Sequence, residues 1–217
     1  MSDLRLWTFR TSPFSGRVRA VLQEKGLEAE MIEVHPARDK RPARLRELNP
    51  LNRVPVLELP DGTVLRESMT ICEWLEETHP EPPLWPADPA LKAWLRGWVL
   101  YLDNEILGTY FLGMRKFAFG KDPGDPEDIT QRLHARTARS FAFVERALAE
   151  HDGPWLAGEM FTLADMAALP FAVRVAEWTP QLATDVPDAP LTQAWLEALR
   201  ARPSAAAIDT KGERAEA

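Results

Sequence analysis

An α/β domain followed by an all-α domain is the fold class this sequence predicts, and three observations predict it. Between His79 and Pro89 five of eleven residues are proline, a density that no helix tolerates. Ahead of that stretch, short apolar runs bounded by turn residues alternate with helical stripes. Behind it, long segments carry apolar residues at spacings of three and four with almost no strand signal. The expected organisation is therefore an α/β domain over residues 1–78, a proline-rich linker over 79–89 and a helical domain over 90–217.

Residues 4–9 read as a strand. Residues 15–25 read as a helix with Val18, Val21 and Leu22 on one stripe and Gly26 as its stop. Residues 29–34 give a second strand and 42–48 a short helix. Residues 54–59 and 63–66 are strands joined across Pro60-Asp61-Gly62, and 68–78 is a helix, so the predicted order is βαβαββα. In the second domain 90–119, 128–150, 162–175 and 191–202 read as helices, with a Gly/Pro-rich loop after the first and a frayed tail over 210–217.

Composition narrows the function classes. At about 150 residues per domain, 217 residues allow one large domain or two small ones. An apolar fraction of 45% and a charged fraction of 27% are those of an ordinary globular protein. No apolar run approaches the roughly 18 to 20 residues that cross a bilayer, and no leader is evident at the N-terminus, so a soluble cytoplasmic protein with no membrane partner is expected. A net charge of -7 argues against nucleic acid as a partner. The lone cysteine, Cys72, cannot form an internal disulfide, and the four histidines include no pair at helical ligand spacing, so no metal site is expected. Cys72 also lies mid-helix beside Ile71 and Leu75, the setting of a core residue rather than a nucleophile.

Three short motifs carry chemistry. Thr11-Ser12-Pro13-Phe14-Ser15-Gly16-Arg17 lies between the first strand and first helix, so Ser12 caps that helix with Pro13 at its first position. The same hydroxyl can donate to a thiolate bound at the strand's carboxyl end. Asn49-Pro50-Leu51-Asn52-Arg53-Val54-Pro55 puts a proline at a strand entrance, a common place for a cis bond. There the Val54 backbone N–H and C=O would offer an extended peptide a short antiparallel pairing edge. Glu67-Ser68 opens the third helix, where Ser68 and the backbone N–H groups suit a carboxylate and Glu67 suits an ammonium group. A hydroxyl at a thiol position, a peptide-pairing proline and a zwitterion site together describe a receptor for a short thiol peptide.

In this set the sequence resembles the cytosolic glutathione transferase superfamily over nearly its whole length. The NP-x-x-x-VP and ES motifs fall in a βαβαββα half, a proline-rich linker follows, and Phe161-Thr162-Leu163-Ala164-Asp165-Met166 is similar to the family's capping box and staple. Ser-Pro-Phe-Ser at 12–15 resembles the tau class, and also the omega-type proteins that carry cysteine where Ser12 stands. The resemblance implies a thioredoxin-like N-terminal domain, glutathione as co-substrate without a metal, and a serine-type enzyme of detoxification.

By the same resemblance Ser12 is the catalytic residue, and Phe14, Lys40, Arg53, Val54, Pro55, Glu67 and Ser68 bind glutathione. Lys40 and Arg53 are the expected cations for the glycyl carboxylate, with Arg38 and Arg41 as competitors. Tyr110, Phe111, Met114, Arg115 and Trp178 are candidates to line the site of a hydrophobic electrophile, although aromatics at helical spacing serve equally as core or subunit interface. A homodimer is implied, and the first long helix carries Trp94, Trp98 and Tyr101, which suit either that interface or an internal core. Two alternatives accompany this reading: a non-catalytic regulatory relative, like the stringent starvation proteins, and an omega-like thiol transferase or reductase, which Ser12 disfavours.

Overall fold

The computed structural model describes residues 4–113, 126–178 and 189–208. The chain divides into two compact units, one comprising Met1–Pro83 with Arg202–Ala217 and the other Leu84–Ala201.

The first unit is built on a four-stranded mixed sheet of order β2-β1-β3-β4, with β1 Arg5–Thr8, β2 Glu30–Glu33, β3 Val56–Glu58 and β4 Val64–Arg66. Helix α1 (Pro13–Glu24) provides the crossover that the parallel β1–β2 pair requires, while β1–β3 and β3–β4 are antiparallel. Alternation along the strands decides which side chains meet which layer. Trp7 and Val56 point to the face covered by helix α2 (Ala43–Leu48), where they cluster with Val34, Leu45 and Leu48. Leu6 and Leu57, one position along, are fully buried on the opposite face. Helix α3 (Ser68–Thr78) packs against α1 and buries Ile71, Cys72 and Leu75.

Local chemistry explains the boundaries. Helix α1 starts two residues earlier than the stripe suggested because Pro13 occupies its first position behind the Ser12 cap. It stops at Gly26, whose φ of 62° permits the paired bonds Leu27 N–H to Leu22 C=O and Gly26 N–H to Gln23 C=O. The strand read over 54–59 contracts to Val56–Glu58, since Pro55 has no N–H to enter the ladder. Two 3-10 turns, Arg38–Lys40 and Pro203–Ala207, are additions that periodicity does not reveal.

Among the described residues the second unit contains the helices α4 (Pro89–Gly113), α5 (Pro126–Ala149), α6 (Leu163–Trp178) and α7 (Pro190–Ala201). The capping box read from residues 161–166 is present: Thr162 Oγ1 accepts from Ala164 N–H at 3.3 Å, and Asp165 Oδ2 accepts from Thr162 N–H at 2.9 Å and Thr162 Oγ1 at 2.8 Å. Asp165 Oδ1 in turn accepts from Leu156 N–H and Trp195 Nε1, so one fully buried carboxylate joins the start of α6 to the preceding loop and to α7. Trp94, Trp98 and Tyr101 of α4 meet other rings within this unit. Tyr101 stacks on Phe143 of α5 with ring centroids 3.6 Å apart, Trp98 lies 4.5 Å from the same ring, and Trp94 meets His151 at 5.0 Å. No helix among the described residues is long and apolar enough to cross a membrane.

Candidate active site

The three motifs converge because of strand direction. β1 ends at Thr8, antiparallel β3 begins at Val56 opposite Trp7, and β4 ends at Arg66 opposite Val56. The segments Phe9–Ser12, Arg53–Pro55 and Glu67–Ser68 therefore leave the sheet at one and the same end, within the first unit.

Ser12 caps α1: its Oγ accepts from Ser15 N–H at 3.3 Å, its carbonyl accepts from Gly16 N–H at 2.8 Å, and it is 4% exposed. Because the oxygen is the acceptor in the cap, the hydroxyl proton is left for a second partner. Capping and donation are thus compatible in one geometry. Ser15, by contrast, is sealed at 0% exposure, and its Oγ is buried without a hydrogen-bond partner.

The Val54–Pro55 peptide is cis, and the Val54 backbone forms no hydrogen bond among the described residues. Its loop is firmly built. Asn49 Nδ2 donates to the Arg53 carbonyl at 3.1 Å, Asn49 Oδ1 accepts from Leu51 N–H at 3.1 Å, and Arg66 Nε donates to the Leu48 carbonyl at 2.6 Å. Arg41, one of the competing cations, is absorbed by structure: its guanidinium donates to the carbonyls of His35, Pro36 and Asn52. Burial, and then the neighbouring charge of Arg38, lower its pKa from the ordinary arginine value. Lys40, Arg53 and Arg38 remain exposed on two loops that Asn52 Nδ2 joins by donating to the Arg38 carbonyl at 2.8 Å.

At α3 the cap is Glu67, not Ser68. Glu67 is exposed, makes no capping hydrogen bond through its side chain, and holds φ 67°. That left-handed value is costly for a residue with a Cβ and turns the chain abruptly from β4 into α3. Ser68 is the first helical residue and is buried.

One residue of this region was not read from the sequence. Arg17 is 0% exposed, donates from Nη1 to Ser68 Oγ at 3.4 Å, and lies over the Phe14 ring at 5.4 Å. It thereby links α1 below Ser12 to the first residue of α3. The available signal was its position four before Val21, on the buried stripe, where a surface arginine does not belong. Cys72 faces the same interior, and burial pushes its thiol up to about 12, which leaves it inert as a nucleophile.

Among the candidates for an electrophile site, Met114 and Arg115 lie outside the described residues, and Tyr110, Phe111 and Trp178 lie in α4 and α6 with side chains that are likewise not described. Among the described residues no group of three His, Cys, Asp or Glu is arranged to hold a metal ion.

Comparison with known proteins gives two domain matches: the glutathione S-transferase N-terminal domain over residues 6–83 and the glutathione S-transferase C-terminal domain over residues 109–203. The chain is 32% identical to a maleylacetoacetate isomerase of Pseudomonas aeruginosa, over 77% of this chain and 79% of that one. Among solved structures it is similar to glutathione transferase Omega 3C of Trametes versicolor, with TM-score 0.77 and 25% identity over 98% of this chain and 87% of the other. It is also similar to a glutathione transferase homologue from Sulfitobacter with bound glutathione, with TM-score 0.74 and 28% identity over 96% of this chain and 97% of the other.

Proposed function

The chain belongs to the glutathione S-transferase family, and from that premise we propose that it binds glutathione in its N-terminal unit and holds the sulfur as a thiolate at Ser12, for attack on an apolar electrophile or a peroxide. The observation that carries this reading is the Ser12 hydroxyl: an acceptor in the α1 cap, it keeps its proton for the sulfur. A thiol of pKa near 8.5 is only a few per cent ionised at pH 7. A hydrogen bond from Ser12 together with the positive end of α1 favours the anion by about 2 to 3 kcal/mol, or about two pKa units. The site needs no general base in this scheme, because stabilising the thiolate is the catalysis.

The remaining residues orient the peptide. The Val54 N–H and C=O pair with its backbone, Ser68 and the first N–H groups of α3 take the γ-glutamyl carboxylate, and Glu67 takes the ammonium group. Lys40 or Arg53 meets the glycyl carboxylate, Arg41 being engaged with three backbone carbonyls. Phe14 and Pro55 form the walls. The helical unit supplies the site of the electrophile, for which Tyr110, Phe111, Met114, Arg115 and Trp178 are the candidates. The soluble enzyme is a cytoplasmic homodimer in this reading, and sedimentation showing only monomer at micromolar concentration contradicts that part.

Isothermal titration with reduced glutathione tests the binding step. A dissociation constant between micromolar and millimolar, about 4 to 8 kcal/mol, is expected. No heat at millimolar ligand with the protein folded overturns the reading and favours a regulatory relative.

A second reading rests on the similarity to the maleylacetoacetate isomerase. An isomerase would use the same thiolate as a nucleophile regenerated at the end of each cycle. Stoichiometry separates the two: conjugation consumes one glutathione per product, isomerisation none.

A further inference from the structure

The loop that carries Ser12 is held at Arg10 from both sides. Arg10 N–H donates to Glu33 Oε1 at 2.6 Å, and the Arg10 carbonyl accepts from Arg19 Nη2 at 2.7 Å. Arg19 Nη1 also donates to Thr8 Oγ1 at 2.7 Å, where β1 ends. The loop then closes on itself through Ser12 N–H to the Phe9 carbonyl at 2.9 Å. Arg19 thus spans the segment whose next residues are Thr11 and Ser12.

The same guanidinium has another partner far along the chain. Arg19 Nε donates to the carbonyl of Ala207 at 3.1 Å, 188 residues away. Ala207 ends the 3-10 turn Pro203–Ala207, which lies along α1. Further contacts dock this segment on the same helix: Gln23 Nε2 donates to the Pro203 carbonyl at 2.9 Å, Arg202 clasps Glu24 with bonds of 2.8 and 2.7 Å, and Ser204 Oγ donates to Glu24 Oε1. Among the described residues Gln23 and Glu24 hold the segment through side-chain hydrogen bonds that do not reach the Phe9–Ser12 loop. Arg19 alone among these three joins the segment to the loop.

We propose that Arg19 is a positioning residue through which docking of the C-terminal segment Arg202–Ala207 sets the loop Phe9–Ser12, and with it the hydroxyl that stabilises the glutathione thiolate. The planar fork of arginine is what makes this coupling available, since its Nε, Nη1 and Nη2 reach three acceptors in one fixed plane. With the Ala207 carbonyl withdrawn, the guanidinium loses a contact that orients it, and its grip on Thr8 and Arg10 loosens. The effect on catalysis rests on Ser12 acting as the thiolate donor; the mechanical coupling does not.

Hydrogen–deuterium exchange of the full chain without ligand tests the coupling. Arg19→Met is expected to speed exchange about tenfold at two places at once, the Arg10 and Ser12 amides and the Ala205 and Ile208 amides of the tail. A chain ending at Ala201, or Glu24→Lys if that chain does not fold, is expected to speed exchange at Arg10 and Ser12 as well. Combined with Arg19→Met it adds nothing further there, because both changes break one path. Unchanged Arg10 and Ser12 amides in Arg19→Met, or additive effects in the double variant, overturn the proposal.

A second arm carries it to the reaction. With glutathione bound, the thiol pKa rises by about half a unit or more in Arg19→Met and in the tail variant, and no further in their combination. An unshifted thiol in variants that still bind glutathione overturns the catalytic half of the proposal. A wild-type chain that binds no glutathione removes the functional reading instead, and the exchange arm then decides the coupling alone.

Discussion

Arg41 Nη1 donates to the carbonyl of Asn52 at 2.6 Å, and Asn52 holds a left-handed φ of 50° two residues ahead of the cis Val54–Pro55 peptide. With the His35 and Pro36 carbonyls on its other nitrogens, the guanidinium fixes two loops against each other from a buried position. Arg41→Leu is expected to cost about 2 to 4 kcal/mol in urea denaturation, since three carbonyls lose a charged donor. Arg53→Ala and Lys40→Ala, both exposed, are expected to leave stability within about 0.5 kcal/mol. One of these two should raise the glutathione dissociation constant, and an unchanged affinity in both contradicts their assigned role.

Glu67 gives a prediction with two signs. At φ 67° its backbone suits glycine, so Glu67→Gly is expected to raise stability by up to about 1 kcal/mol while weakening glutathione binding by about 1 to 3 kcal/mol through loss of the carboxylate proposed to meet the ammonium group. Denaturation and calorimetry on the same preparation read both. If stability and affinity fall together, Glu67 is a structural residue only.

Asp165 accepts hydrogen bonds from Leu156 N–H, Thr162 N–H, Thr162 Oγ1 and Trp195 Nε1 while fully buried. Asp165→Ala strands those donors and is expected to cost roughly 3 to 5 kcal/mol, whereas Thr162→Ala, which loses one cap bond and one hydroxyl bond, costs about 1 to 2 kcal/mol. Equal losses in thermal or urea unfolding would show that Trp195 and Leu156 contribute little to the carboxylate's role.

Acid should release the C-terminal segment from α1. Burial alone would raise the Glu24 pKa, but the hydrogen bonds from Arg202 and Ser204 outweigh it and hold the carboxyl below its usual value. A depressed folded pKa means that the contribution is complete above the unfolded value of about 4.3 and is lost as pH falls through the folded one. Exchange at Ala205 and Ile208, corrected for intrinsic rates, should therefore rise below about pH 4.3 in the wild type. In Glu24→Gln it should be fast already at neutral pH and show no such step.

The parts of this architecture that were legible in the sequence are those fixed by neighbours in sequence. Leu6 and Trp7 sort themselves to opposite faces by strand alternation, Gly26 stops α1 by its positive φ, and Thr162 with Asp165 forms a cap within one turn. What stayed hidden depends on groups brought together from afar. Arg41 reads as a competing cation for the glycyl carboxylate until the Asn52 carbonyl arrives beside it, Arg19 carries no reading in the sequence until the Ala207 carbonyl does the same, and Arg17 is buried only because α3 closes over α1. Trp98 and Tyr101 could be divided between interface and core only once Phe143 was placed against them. The position of Ser12 was legible, since a cap is local; the free proton on its hydroxyl follows from the direction of the Ser15 bond.

The central claim is that Ser12 sets the ionisation of bound glutathione, and the ultraviolet absorbance of the thiolate, titrated against pH in the wild type and in Ser12→Ala, tests it most directly. The account predicts a bound thiol in the wild type about two pKa units below free glutathione, and a rise of one unit or more on removing the hydroxyl, with glutathione affinity nearly unchanged. Conjugation or peroxide reduction should then slow by roughly ten- to several hundred-fold. Coincident titration curves for the two proteins, both saturated with glutathione, would contradict the account and reduce Ser12 to the cap of α1.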